Sequence, residues 1–131
     1  APLYGQGKIL IMYDEAVIRE TLGRMLNCLG YTTGFANDGL DAIQLYETAR
    51  QANDPYDAVL MDLTIAGGIG GKEAVKMILE IDPAAKVIVS SGYSNDPVMA
   101  DYKAYGFCGV LPKPYEIKSM NQILYNLLVN E

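Results

Sequence analysis

Groups able to act on a phosphoryl group or a divalent ion stand at the ends of four apolar runs. They are Asp14 and Glu15 after ILIMY, Asp62 after AVLM, Ser90 and Ser91 after KVIV, and Lys113 after FCGVLP. Clustered carboxylates repel one another unless a cation neutralises them. Mg2+ suits such a cluster, because it takes hard oxygen ligands and fills its shell with water and phosphate oxygens. A carboxylate is also a nucleophile that can form an aspartyl phosphate. A lysine and a serine beside it can hold the incoming phosphoryl oxygens. Taken singly, each residue has a plain structural role: Asp14 caps a helix, Asp62 starts a turn, Ser91 bonds its own loop, and Lys113 is solvated. Together they point to phosphoryl acceptance on an aspartate. That chemistry requires a scaffold that gathers them.

The elements between them supply one. KILIMY (8–13) reads as a buried strand, and Ile18, Leu22, Met25, Leu26 and Leu29 then recur on one helix face. Gly30 sits at a helix stop. YTTGFA (31–36) is a second strand, and Asn37, Asp38 and Gly39 turn and cap a helix with Ala42, Leu45, Tyr46 and Ala49 inward. AVLMD (58–62) is followed by the loop LTIAGGIGG and a helix burying Ala74, Met77, Ile78 and Ile81, which Asp82–Pro83 ends. KVIVS (86–90) is the fourth strand. A short helix is expected around Val98–Ala104, then a break at Gly106, a fifth strand FCGVL (107–111), and a last helix carrying Ile117, Met120, Leu124, Leu127 and Leu128. Five apolar strands alternating with helices make an α/β domain, (βα)5, with a doubly wound parallel sheet covered on both faces. In such sheets ligands bind beyond the carboxyl ends of the strands, where all the chemical groups above lie.

The 131 residues read as one domain over 8–131, with residues 1–7 an N-terminal extension or remnant. Half the residues are hydrophobic and a fifth charged, which is ordinary for a globular chain. No run reaches the ~18–20 apolar residues of a membrane span, and the first residues lack the pattern of a secretory signal. A net charge of −6 disfavours nucleic acid and anionic membranes as partners. Cys28 and Cys108 make no metal-ligand spacing or disulfide framework. Cys28, within an apolar helical pattern, is expected as a buried free thiol, consistent with a reducing cytoplasm. There is no histidine, which excludes His-dependent triads and imidazole metal sites.

Several other motifs fail on inspection. GGIGGKE has Ala66 where a P-loop needs its first glycine and Glu73 where it needs Ser or Thr. GQG (5–7) precedes a strand, whereas a dinucleotide fingerprint follows one. YDE after the first strand would repel an FMN phosphate. An aspartate-nucleophile phosphohydrolase would want an acid at position 64, which is Thr64.

From Lys8 to about Leu128 the chain resembles the receiver domains of two-component response regulators. The resemblance rests on YDAVLMDLTIAGGIGGKEA, VIVSSGYSNDPVMADY and YGFCGVLPKPY, in that order. SSGYSND with KPY is most similar to receivers associated with hybrid sensor histidine kinases. The resemblance implies the flavodoxin-like strand order 2-1-3-4-5 and a signalling domain, not an enzyme beyond self-catalysed phosphoryl transfer and autodephosphorylation. It implies Asp62 as phosphoacceptor, Asp14 as a Mg2+ ligand, and Thr64 as donor of a metal-bound backbone carbonyl. It implies that the Ser91 hydroxyl and the Lys113 ammonium hold the phosphoryl group. The implied partners are a sensor histidine kinase or a histidine phosphotransfer protein. With three residues after Leu128, the chain is expected to dock a partner or to be one piece of a larger hybrid kinase.

Two positions depart from the family pattern. Receivers usually carry two acids after the first strand, and the first of these falls on Tyr13. A phenol is neutral at pH 7, so the site loses a negative charge. The expected result is Mg2+ binding weaker by about tenfold (~1.4 kcal/mol) or more, and tightened by Tyr13→Asp. Val110 stands where the family often has an aromatic whose rotation couples phosphorylation to a partner surface. The alternative to a phosphorylated receiver is therefore a degenerate one, an interaction module that keeps the fold without the chemistry.

Overall fold

The computed structural model describes residues 7–13, 16–62, 71–91, 101–112 and 122, with the side chains of Ala16, Ile18, Asp62, Gly71, Lys72, Ser91 and Val110–Pro112 left aside. Its elements run β1 (Gly7–Met12), α1 (Ala16–Cys28), β2 (Tyr31–Ala36), α2 (Gly39–Gln51), β3 (Ala58–Asp62), α3 (Gly71–Ile81), β4 (Val87–Ser91), a 3-10 turn (Tyr102–Tyr105) and β5 (Gly109–Pro112). The five strands form one parallel sheet in the order β2-β1-β3-β4-β5.

Strand alternation sorts the apolar side chains into two cores. Leu10, Met12, Val59, Met61, Val87 and Val89 face Ala42 and Tyr46 of α2 and Ala74, Val75 and Ile78 of α3. Ile9, Ile11, Tyr13, Ala58, Leu60 and Ile88 face Leu22 and Leu26 of α1. Both faces are thus covered, as continuous apolar strands require. Fully burying one such aliphatic side chain contributes ~1.5–3 kcal/mol, which is why the central strands can dispense with polar residues.

Local signals stop the helices where expected. Gly30 and Gly106 both have φ of 100°, a left-handed conformation that costs glycine little. The Asp38 carboxylate caps α2 by accepting from the Asp41 amide at 2.9 Å. Asp82 follows the last residue of α3, and its carboxylate accepts from the Ala84 amide at 3.1 Å.

Several local expectations need correction. Cys28 is exposed. At about 100° per residue it lies some 200° round the helix from Leu26, away from the sheet. Met77 is 39% exposed and Val75 takes its place inward, because α3 packs on both α2 and the sheet along the Ala74–Val75–Ile78 line. Strand β5 starts at Gly109, two residues late, because Phe107 is still bonded into the preceding turn through its amide to the Tyr102 carbonyl. The helix expected around Val98–Ala104 is represented among the described residues by the 3-10 turn, and the last helix lies outside them.

Among the described residues, one buried side-chain group is unsatisfied. The Tyr31 hydroxyl is shielded from solvent with no hydrogen-bond partner, and burial raises the phenol's pKa above its ordinary value. A buried donor left unpaired costs ~1–3 kcal/mol of desolvation. Tyr31→Phe removes that group while keeping the ring, so it is expected to stabilise the fold by about 1 kcal/mol. The measurement is the midpoint of urea unfolding at unchanged slope, and a lower midpoint would show that the hydroxyl is paired in solution.

Candidate functional site

The carboxyl ends of four adjacent strands meet at one rim. Met12 pairs with Met61, so Tyr13 and Asp62 occupy the next step of the β1–β3 register. Asp62 pairs with Ser90, and Ser91 pairs with Pro112. Neighbouring strands lie ~4.8 Å apart, so these positions follow one another across the rim at about that spacing. Asp62 is the last residue of β3 and Ser91 the last of β4. Asp14 follows Tyr13 in the chain and Lys113 follows Pro112. Asp14, Thr64 and Lys113 lie outside the described residues, as does the Val110 side chain. The backbone therefore brings the positions of Asp62 and Ser91 together, with Asp14 and Lys113 each one residue beyond described neighbours on the same rim.

Tyr13 has become a core residue. It is fully buried and belongs to the α1-side cluster with Ile9, Ile11 and Leu22. Its amide donates to the Ala36 carbonyl at 3.0 Å, which continues the β1–β2 pairing one step past Met12. Its carbonyl accepts from Nη1 of Arg19 at 2.9 Å. The phenol fills space between the sheet and α1, where an apolar side chain would otherwise be needed. That location follows from period-two alternation after Ile9 and Ile11.

Arg19 and Asn37 complete this corner. The Arg19 guanidinium, half-buried on α1, also donates to the Asn37 side-chain carbonyl. The Asn37 amide in turn donates to the Asp41 carboxylate at 3.1 Å, inside the capping arrangement of α2. Arg19, Glu20, Phe35 and Asn37 line a cavity of about 350 Å³ beside this corner. Sequence reasoning missed Arg19, since one arginine on a helix has no spacing to distinguish it from a solvated side chain.

A second polar cluster lies at the opposite rim. The Tyr46 hydroxyl donates to Asp82 at 2.8 Å, and burial, reinforced by that carboxylate, pushes its pKa well above the usual phenol range. Arg50 Nη1 donates to the Ile81 carbonyl at 2.6 Å and ties α2 to the end of α3. Lys8 pairs with Asp54 at 2.9 Å and lies 4.6 Å from the centre of the Tyr56 ring. These groups bond one another and serve as structural ties between loops. The carboxyl rim is where this type of sheet presents its chemistry.

A family model for the response regulator receiver domain matches residues 9–125, and the chain belongs to that family. It is 31% identical over 121 residues to sporulation initiation phosphotransferase F of Bacillus subtilis, covering 92% of this chain and 93% of that one. It is 27% identical over 126 residues to the sensor kinase CckA of Brucella abortus, covering 96% of this chain but only 13% of the kinase. Its fold superposes with a TM-score of 0.82 on the receiver domain of a sensor histidine kinase from Pseudomonas aeruginosa, covering 95% of this chain and 98% of that one at 24% identity. That structure has a magnesium ion coordinated in its active site cleft. The two-component signalling class and the strand order 2-1-3-4-5 are thus established for this chain.

Proposed function

We propose that residues 8–131 form a receiver that accepts a phosphoryl group on Asp62 from a phosphohistidine. The observation that carries this reading is the register aligning positions 13, 62, 91 and 112 along one rim. A carboxylate oxygen of Asp62 attacks phosphorus. The O–P bond forms as the N–P bond breaks, and the bonding pair stays with the imidazole nitrogen of the donor. The Ser91 hydroxyl donates to one phosphoryl oxygen and the Lys113 ammonium pairs with another. Asp14, Asp62 and the backbone carbonyl of Thr64 are the oxygen donors for Mg2+, a hard-ligand set that fits this ion. When bound, the ion supplies neutralisation of charge on the transferring group.

The 131 residues hold no histidine, so the donor lies outside them. It is a sensor histidine kinase or a histidine phosphotransfer protein, either separate or covalently joined in a hybrid kinase. Among the described residues no helix is long and apolar enough to cross a membrane, and the net charge of −6 opposes nucleic acid, in keeping with a cytoplasmic signalling role. A second reading, the degenerate interaction module, draws on the burial of Tyr13 in the core, which leaves the rim one acid short. Incubation with a phosphodonor and Mg2+ separates the two. Acid-stable but hydroxylamine-labile labelling of the wild type, absent from Asp62→Asn, supports the receiver; no labelling of either supports the module.

A further inference from the structure

Strand β2 is an edge of the sheet, and among the described residues no strand pairs with its outer side. The Ala36 carbonyl accepts from the Tyr13 amide, so the even-numbered residues of β2 turn their peptide groups toward β1. Alternation directs the N–H and C=O groups of Tyr31, Thr33 and Phe35 to the open side. Such a row is a template for another strand, and proteins usually guard it with charges, proline or a bulge. YTTGFA holds no charged residue and no proline, and its register with β1 runs without a bulge from Tyr31 to Ala36. Phe35, near its end, is 43% exposed.

We propose that β2 pairs antiparallel with β2 of a second copy of this chain, about a two-fold axis through Thr33, joining the two sheets into one. In that register Thr33 meets its own counterpart and Tyr31 meets Phe35, and each pair exchanges both backbone bonds. The outward groups are then satisfied by the same strand that carries them, the self-complementarity a two-fold interface requires. Because β2 is neutral, two chains of net charge −6 meet there without like charges in register. The helices allow the approach. Helix α1 packs on both β1 and β2, so the two copies of α1 lie about two strand spacings apart, ~10 Å, the distance of packed helices. On α1, Gly23 stands over this edge, where a Cβ would come within 2.9 Å of the Phe35 ring. Asp62 lies on β3, beyond β1, so the pairing leaves the carboxyl rim open in both copies.

Sedimentation equilibrium of the 131-residue chain over ~10–500 μM, with each variant's fold checked by circular dichroism, tests this. The wild type is expected to reach a dimer and go no further, since the two-fold contact closes on itself. Thr33→Pro removes an outward amide and no bond to β1, so it should stay folded and weaken the dimer by ~10-fold or more. Thr33→Lys and Thr33→Glu each place like charges across the axis and should each weaken self-association by a similar factor of ~10. Mixed in equal amounts, these two should restore a dimer, which a general loss of folding would not do. A wild type monomeric throughout that range would overturn the proposal, as would a dimer unchanged in folded Thr33→Pro. Weakening by both charges without recovery in the mixture would overturn the axis through Thr33.

Discussion

Tyr13→Asp is expected to lower stability by about 3 kcal/mol or more in the absence of divalent ions. The aromatic ring is fully buried against Ile9, Ile11 and Leu22, and aspartate replaces it with a smaller, ionised group. Removing a buried aromatic costs ~3–5 kcal/mol, because the surrounding side chains only partly close the gap. An acid at this position either stays buried at a further cost or turns toward the rim beside the position of Asp62. In the second case it adds one negative charge to the proposed metal site. The variant should then gain more stability from Mg2+ than the wild type does, by RT ln(1 + [L]/Kd) at its tighter affinity. Urea unfolding of both proteins with and without Mg2+ reads both effects. A variant as stable as the wild type without the ion would show that the phenol contributes little to the core. Equal Mg2+ gains would show that an acid at 13 does not reach the metal.

Asp62→Asn is expected to abolish phosphoryl acceptance, lowering the rate by ~10³-fold or more, or ~4 kcal/mol of barrier. An amide lacks the anionic oxygen that attacks phosphorus and cannot form the acyl phosphate. The fold should survive, because Asp62 ends its strand and asparagine keeps the size of the side chain while removing its charge. Kinase-dependent labelling and unfolding measured together separate loss of the nucleophile from loss of the fold. Residual labelling above that level would place an acceptor elsewhere.

The sheet was legible because its signals are strong and local. Strand β3 lies where the apolar run AVLMD stands and β2 where the weaker, β-branched signal YTTGFA stands, and Gly30, Gly106 and the Asp38 cap act where their chemistry requires. The strand order came with the family resemblance. Helical periodicity alone did not fix which of Met77 and Val75 turns inward, because α3 packs on two neighbours at once. The Cys28 thiol was misplaced for a related reason: an apolar stretch is not the same as an apolar face. At the rim, the family resemblance implied that Tyr13 stands where receivers usually carry an acid, but not that the ring would be absorbed by the α1-side core. That depends on alternation continuing one residue past the strand, which the hydrogen bond to Ala36 secures. Arg19 was invisible because its partners are backbone and loop atoms 6 and 18 residues away.

The most direct test of phosphoryl binding at the carboxyl rim is an amide NMR titration with beryllofluoride, an acyl-phosphate mimic, in the presence of Mg2+. Saturation at one equivalent is expected, with the largest shifts at Tyr13, Asp62, Ser90 and Ser91 and none in Asp62→Asn. Shifts centred instead on Tyr46, Asp54 and Asp82 at the opposite rim, or no saturable change at all, would contradict it.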